Sequence, residues 1–331
     1  MSKIDFVVTW VDSNDPKWLK EKKQYYKEKF MEDILNDESK FRDWDFFKYW
    51  FRSLEANTPW VNKVHLVTYG HIPEWLNISH PKLNIVNHKD ILPKSSLPTF
   101  NSQAIELCLH KIEDLSENFV YFNDDMFINA FCEEKDFFEN SLPKDYGIFN
   151  VISPSYGGIE HAIVNNLEII NKYFEKKNVL KRNVNKFFNF SYGKNNLRNL
   201  FLLPWNKFTG FYEPHSAISL KKSSFQKVWD KENAYLTKTV HSKFRSKEDL
   251  NFWVVRYWQI CTGEFSPQKI GISKMYYLSD YSSSLLKDIK DSKHKLICLN
   301  DSSDVKNFNK VKDEINSAFE KKYPTKSSFE I

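Results

Sequence analysis

The feature that most constrains this chain is a recurring junction, in which a short apolar run passes without a spacer into a cluster of acidic and amide residues. Residues 3–11 (Lys3 to Val11) are rich in β-branched and aromatic side chains and end at Asp12-Ser13-Asn14-Asp15-Pro16. Phe119-Val120-Tyr121-Phe122 runs into Asn123-Asp124-Asp125, and Cys298-Leu299 runs into Asn300-Asp301. An apolar run of four to eight residues bounded by turn formers reads as a fully buried strand. Lys63 to Thr68 and Leu83 to Val86 read the same way.

Helical patterns separate these runs. Asp15 as N-cap and Pro16 as first helical residue start a helix through Trp18, Leu19, Tyr25 and Phe30. A second helix is expected from about Trp44 to Ala56, with Phe47, Trp50, Phe51 and Leu54 on one face. Asn101-Ser102 caps a third that carries Ile105, Leu109 and Ile112. The last carries Val305, Phe308, Val311, Ile315 and Phe319 and stops before Pro324. Strands alternating with helices predict an α/β fold, a Rossmann-like, mostly parallel sheet flanked by helices. From 165 to 203 the pattern changes to Lys, Arg and Phe with few acids, which predicts a basic, aromatic helical insertion or cap. No repeat or low-complexity linker divides the chain, so residues 1–331 are expected to form a single catalytic domain with that insertion.

Composition narrows the chemistry. The chain has 8 glycines in 331 residues, against roughly 7% in average usage. No three of them fit G-x-G-x-x-G, and none fits the P-loop pattern, so a glycine-rich phosphate cradle is excluded. Phosphates would have to be held by a metal, by Arg or Lys, or by helix N-termini. A net charge of +5 suits anionic small molecules or an anionic membrane surface, and is too small for a dedicated nucleic-acid binder. Cys108, Cys132, Cys261 and Cys298 form no C-x-x-C pair, which argues against zinc and for reduced thiols in the cytosol. The start of the chain lacks a signal-peptide layout, and no apolar run approaches the ~20 residues of a membrane span. The expected location is cytoplasmic, with any membrane contact peripheral, at the inner face.

Each junction has a structural and a functional reading. Asp12 to Asp15 could be an Asx turn plus an N-cap, or the wall of a ligand crevice at a strand's carboxyl end. Asn123-Asp124-Asp125 could be an acidic turn. Two adjacent carboxylates at an apolar strand end, however, repel unless a cation or Arg relieves them, and hard oxygen donors there suit Mg²⁺ or Mn²⁺. His215 has no H-x-x-x-H partner, and position alone does not select it from the nine histidines. Arg245 in Phe244-Arg245-Ser246 has the fork that fits phosphate, with a surface ion pair as the default. Asn300-Asp301 could equally cap a helix.

Taken together, these segments resemble the Stealth family of sugar-1-phosphate transferases, which includes bacterial capsule polymerases and the animal lysosomal-targeting GlcNAc-1-phosphotransferase. Ile4 to Pro16 resembles the family's first motif. The second is matched from Phe41-Arg42-Asp43 through Leu97 to Ser102 and on to Tyr121-Phe122-Asn123-Asp124-Asp125. The third is matched at Pro214-His215 and Phe244-Arg245-Ser246, and the fourth at Cys298 to Asp301 and Pro324 to Glu330. Two departures stand out: Ser13 occupies a position where Gly is common, and Ser216-Ala217 follows His215 where a Pro is usual.

The resemblance implies a GT-A-like sheet and transfer of hexose-1-phosphate from a UDP-sugar to a lipid-linked or growing glycan, with UMP released. It implies Mg²⁺ (or Mn²⁺) held by Asp125 and Asp301, and Arg245 on a phosphate oxygen. It makes His215 or Asp124 the general base, and Thr9, Trp10, Asp12, Asn14 and Asp15 the floor under the nucleotide or sugar. Arg42, Asn101, Asn123 and Asn300 are further substrate-binding candidates. Capsular or cell-surface polysaccharide synthesis is the implied setting, with no nucleic-acid partner. Two competing readings are a conventional glycosyltransferase that releases UDP and a non-catalytic glycan-binding module.

Overall fold

The computed structural model describes residues 3–26, 42–156, 158–302 and 305–331. Its strands are β1 (Ile4–Trp10), β2 (Val64–Thr68), β3 (Leu83–Asn87), β4 (Asn118–Asn123), β5 (Met126–Ile128), β6 (Phe138–Glu139), β7 (Leu142–Asp145), β8 (Ile218–Lys221), β9 (Ser266–Pro267), β10 (Ser273–Tyr277) and β11 (Leu296–Asn300). Its helices are α1 (Pro16–Tyr25), α2 (Phe47–Asn57), α3 (His88–Ile91), α4 (Ser102–Glu106), α5 (Glu160–Tyr173), α6 (Lys176–Phe187), α7 (Asn196–Phe201), α8 (Lys222–His241), α9 (Trp253–Thr262), α10 (Ser283–Asp291) and α11 (Phe308–Lys322).

The main sheet has the order β3-β2-β1-β4-β8. The first four strands are parallel, and β8 joins antiparallel to β4. The chain builds outward from β1 to β3, then returns to the other side of β1 with β4. That reversal opens a crevice at the carboxyl ends of β1 and β4, where open α/β sheets bind ligands. Thr9 and Asn123 are register partners at its base.

Helices cover both faces of the sheet, as a parallel sheet requires. The pleat sends Phe6, Val8, Val120 and Phe122 to one side, where they pack with α2, α11 and β11. Val7, Phe119 and Tyr121 point to the other, toward α5, α8 and α9. On α2, Phe47, Trp50, Phe51 and Leu54 are all buried, as their spacing predicts. The final helix likewise buries Val311, Ile315 and Phe319. A smaller sheet, β10-β11-β5, pairs the C-terminal strand β11 with β5 just after β4. The last segment is locked on α2 by Arg52, whose Nε and Nη2 both donate to the Glu330 carboxylate at 2.9 Å.

Three expectations shift. Asp45 has φ of +58°, and α2 begins after it at Phe47 rather than near Trp44. The third helix is cut to Ser102–Glu106, because the Leu107 carbonyl accepts from Trp229 Nε1 at 2.9 Å instead of continuing the helical ladder. Leu109 and Ile112 then sit on a tighter turn and beyond it. Phe30 and Phe41 lie outside the described residues. The basic segment is helical, and its first helix, α5, begins earlier than expected, at Glu160.

Candidate active site

The loop after β1 is built by its own acids. Asp12 Oδ1 accepts from Asn14 N at 2.8 Å, and Asp15 Oδ1 caps α1 by accepting from Trp18 N at 2.6 Å. The Asx turn and N-cap are therefore both present, at the mouth of the crevice. Ser13 is not among the residues with positive φ, so it needs no glycine. His71 Nε2 accepts from Asp12 N at 2.7 Å, which places that ring's proton on Nδ1. The Trp10 ring stacks on Phe47 at 5.4 Å and 2°, giving the crevice a rigid aromatic wall.

Below the β1 and β4 ends runs a polar chain. The Tyr121 hydroxyl donates to Asn123 Oδ1 at 2.7 Å and lies 3.0 Å from Thr9 Oγ1. Glu106 Oε1 is 3.4 Å from the same hydroxyl. Arg245 Nη2 donates to Ser102 Oγ at 2.8 Å, beside Glu106. Burial pushes the Glu106 carboxyl up and the Arg245 guanidinium down, and the nearby opposite charge opposes each shift. Asn101 does not face the crevice. It is buried, caps α4 through Gln103 N, and donates to Asp249 Oδ2 at 2.9 Å and to the Phe244 carbonyl at 3.3 Å. Its role is to hold the loop that carries Arg245.

The turn after β4 gathers the reactive candidates. Asp125 is fixed by β11, whose Leu299 N donates to the Asp125 carbonyl at 2.9 Å and whose Cys298 Sγ lies 3.4 Å from Asp125 Oδ2. Asp125 Oδ1 is buried and has no hydrogen-bond partner. His215 faces the same point: single ligand atoms of Asp125, His215 and Cys298 lie within 4.8 Å of one another. His215 has φ of +44°, a conformation costly for a non-glycine residue and often met at functional sites. Asp145 and Arg256 brace its approach. Their buried ion pair has Nη2–Oδ1 at 2.6 Å, and the same Nη2 holds the Tyr212 carbonyl at 2.8 Å. Asp124 reaches solvent yet is enclosed by protein on most sides, and burial together with the Asp125 charge pushes its carboxyl up to about 7. Asp43 adds to that push. Burial also raises Asp125, with His215 opposing.

This set fits a divalent cation. The orphaned Asp125 Oδ1 is a hard donor aimed at no protein partner, and His215 stands beside it. The carboxylate, with retained water, suits Mg²⁺ or Mn²⁺, and the imidazole beside it favours the softer Mn²⁺ of the two. Burial and Asp125 keep Cys298 a thiol that donates to Oδ2, leaving Oδ1 for the ion. Asp301, expected as the second ligand, is engaged otherwise. Arg42 Nε and Nη2 grip its two oxygens at 2.8 and 2.7 Å, and Trp44 Nε1 and Ser302 N also donate to it. Arg42 is thereby tied to Asp301 rather than presented to substrate, and Asn300 closes β11 opposite Tyr277.

Sequence reasoning missed Glu106, Tyr121, Asp43, His71 and Cys298 as parts of this site. Glu106 had a signal, as a lone acid between Ile105 and Leu107 in an apolar stretch. Tyr121 had one too, as the polar-tipped ring in an otherwise apolar strand. Asp43 had only its place in the second motif, and His71 had none, since its proximity comes only from the fold.

At the carboxyl ends of β1 and β4 the structure sets Asp125 beside His215, next to Asp124, with Arg245 on the polar chain below. Three family descriptions match the chain: Stealth protein conserved region 1 at residues 2–28, conserved region 2 at 40–145 and conserved region 4 at 287–331. A capsular polysaccharide phosphotransferase, WcwK of Streptococcus pneumoniae, is 48% identical over 100% of this chain and 98% of its own length. The exopolysaccharide phosphotransferase cps2G of Lactiplantibacillus plantarum is 43% identical over 99% of this chain and 96% of its own. Among solved structures, the galactosyltransferase LgtC with donor and acceptor sugar analogs aligns at TM-score 0.39 and 8% identity, over 95% of each chain. The protein belongs to the Stealth family, and it is an enzyme of the phosphotransferase class.

Proposed function

We propose that this phosphotransferase of capsular or exopolysaccharide synthesis moves hexose-1-phosphate from a UDP-sugar to a glycan hydroxyl and releases UMP. The observation that supports this most is the Asp124–Asp125 pair at the sheet's switch point: Asp125 Oδ1 is buried without a partner, and among the described residues no Lys or Arg forms an ion pair with either carboxylate. The acceptor oxygen would attack the sugar-bearing phosphorus, and the bond from that phosphorus to the bridging oxygen would break. The hydroxyl proton would pass to Asp124, whose carboxyl is poised near neutral pH. His215, the other candidate base, would face Asp125 and the cation. Arg245, backed by Ser102 and Glu106, would hold a phosphoryl oxygen through the transition state. Mg²⁺ or Mn²⁺ held at Asp125 Oδ1, with His215 and Asp124 beside it, would neutralise the charge that collects on the diphosphate.

Thr9, Trp10, Asp12, Asn14 and Asp15 would form the floor under the nucleotide or sugar, and Asn123 would orient it from the partner strand. The acceptor, lipid-linked or growing, would keep the enzyme in the cytoplasm, peripheral at the inner face of the membrane. The test is to incubate the protein with Mg²⁺, a panel of UDP-sugars and a short or lipid-linked glycan, and to identify the nucleotide formed. UMP that depends on cation and is lost in Asp125→Asn is expected. UDP would overturn the phosphotransfer reading in favour of ordinary glycosyl transfer.

A further inference from the structure

Among the described residues no helix is long and apolar enough to cross a membrane, yet the helical insertion carries an unusual surface. Helix α7 is inverted. Its polar Asn199 faces inward and is fully buried, with Nδ2 donating to the Gly147 carbonyl at 2.7 Å and Oδ1 accepting from Phe149 N at 2.6 Å. Its apolar Leu197, Leu200 and Phe201, at i, i+3 and i+4, face solvent, and Phe201 is 71% exposed. The turn before it presents Phe190, whose ring is fully exposed, and the chain after it presents Trp205. Asn189 and Asn196 bond reciprocally, with Asn189 N donating to Asn196 Oδ1 at 3.1 Å and Asn196 Nδ2 to the Asn189 carbonyl at 2.8 Å. These bonds fix Phe190 beside the start of α7. An ordinary surface helix turns the other way, and the body of this protein has enough contacts to hold this one as it is.

The charge around these side chains selects what covers them. From Lys176 to Tyr212 the chain has eight Lys or Arg and no Asp or Glu. Lys176 and Lys186 turn inward onto backbone carbonyls. Lys177, Lys181, Arg182, Lys194, Arg198 and Lys207 are exposed and form no ion pair among the described residues. In a symmetric dimer the same patch meets itself, which would press this positive charge against its copy. An anionic bilayer offers the opposite sign together with an apolar interior. Apolar insertion plus a polybasic rim is the two-signal combination that gives stable peripheral binding.

We propose that α7 and its flanks dock on a membrane of anionic lipids, with Phe190, Leu197, Leu200, Phe201 and Trp205 entering the interface and the basic side chains meeting the headgroups. This builds on the membrane-proximal setting proposed above, but its experiment uses no sugar substrate and so stands or falls apart from the reaction. The full chain is sedimented with phosphatidylcholine vesicles, or with vesicles of phosphatidylcholine and phosphatidylglycerol, at low and high salt. Binding to the anionic vesicles at least about tenfold stronger than to neutral ones, and weakened by salt, is expected. The triple variant L197S/L200S/F201S should lose about tenfold or more, and K194Q/R198Q/K207Q several-fold, each with an unchanged thermal midpoint because the side chains are exposed. No binding to anionic vesicles, equal binding to neutral ones, or binding untouched by both variants would overturn the proposal. So would a dimer, seen by analytical ultracentrifugation, that the triple variant dissolves, because a second copy would then be the occupant.

Discussion

Two strands of this protein, β4 and β11, end alike in Asn-Asp, and their carboxylates meet opposite electrostatic conditions. At the β11 end, Asp301 is gripped by a two-pronged Arg42 and by two further N–H donors. At the β4 end, burial raises both carboxyls; the Asp125 charge adds to the rise of Asp124, and His215 opposes that of Asp125. One site has spent its charge on holding the chain together. At the other, Asp125 Oδ1 is buried and has no hydrogen-bond partner among the described residues. The difference teaches that a strand-end carboxylate is defined by what the fold brings against it: Arg42 is 259 positions from Asp301.

The largest expected effect separates the two ends by activity. Asp125→Asn should lower turnover by about a thousandfold or more while the fold persists, since this carboxylate would serve the transition state. If that variant retained near-parental turnover, the β4 end would not be the reacting end. Arg245→Lys comes next. It keeps the charge and loses the fork, and should cost about a hundredfold in turnover at the same donor concentration. Steady-state rates with saturating donor decide it, and a loss confined to donor affinity would recast Arg245 as a binding group.

Asp301→Asn probes the other end. Removing the charge under the Arg42 fork should cost about 2 kcal/mol of stability in urea unfolding, with a fall in turnover far smaller than that of Asp125→Asn. The smallest effect concerns pH. The folded Asp124 carboxyl titrates about 7, well above the ~3.9 of an unfolded chain. Between those values the native state binds more protons than the unfolded one, so this group's contribution to stability falls as pH rises from about 4 to about 7. Urea midpoints at pH 5 and pH 8 should therefore fall less in Asp124→Asn than in the parent, and equal slopes would show that Asp124 is not perturbed.

Much of this was legible in the sequence, for reasons that differ by region. The strands β1, β2 and β4 were readable because they are buried on both faces along most of their length and their runs are mainly apolar, and the half-buried β3 was readable from its short Leu83 to Val86 run. Helix α2 was readable from four large side chains at helical spacing. The fate of α4 was not, because Trp229 Nε1, far along the chain, takes the carbonyl that would have extended it. For the site, Asp124, Asp125, His215 and Arg245 could be named, and the structure brings Asp125 and His215 together and places Arg245 on the polar chain below. The partners that hold Asp301 and Asn101 were not legible from sequence. They are a guanidinium and a loop backbone, and nothing local to either residue announces them.

The contrast between the two ends is tested most directly by cation binding without substrate. Mn²⁺ is titrated into the full chain and followed by electron paramagnetic resonance, for the parent, Asp125→Asn and Asp301→Asn. The account predicts one site that disappears in Asp125→Asn and persists in Asp301→Asn. A site that survives Asp125→Asn, or that vanishes with Asp301→Asn in a folded protein, would contradict it.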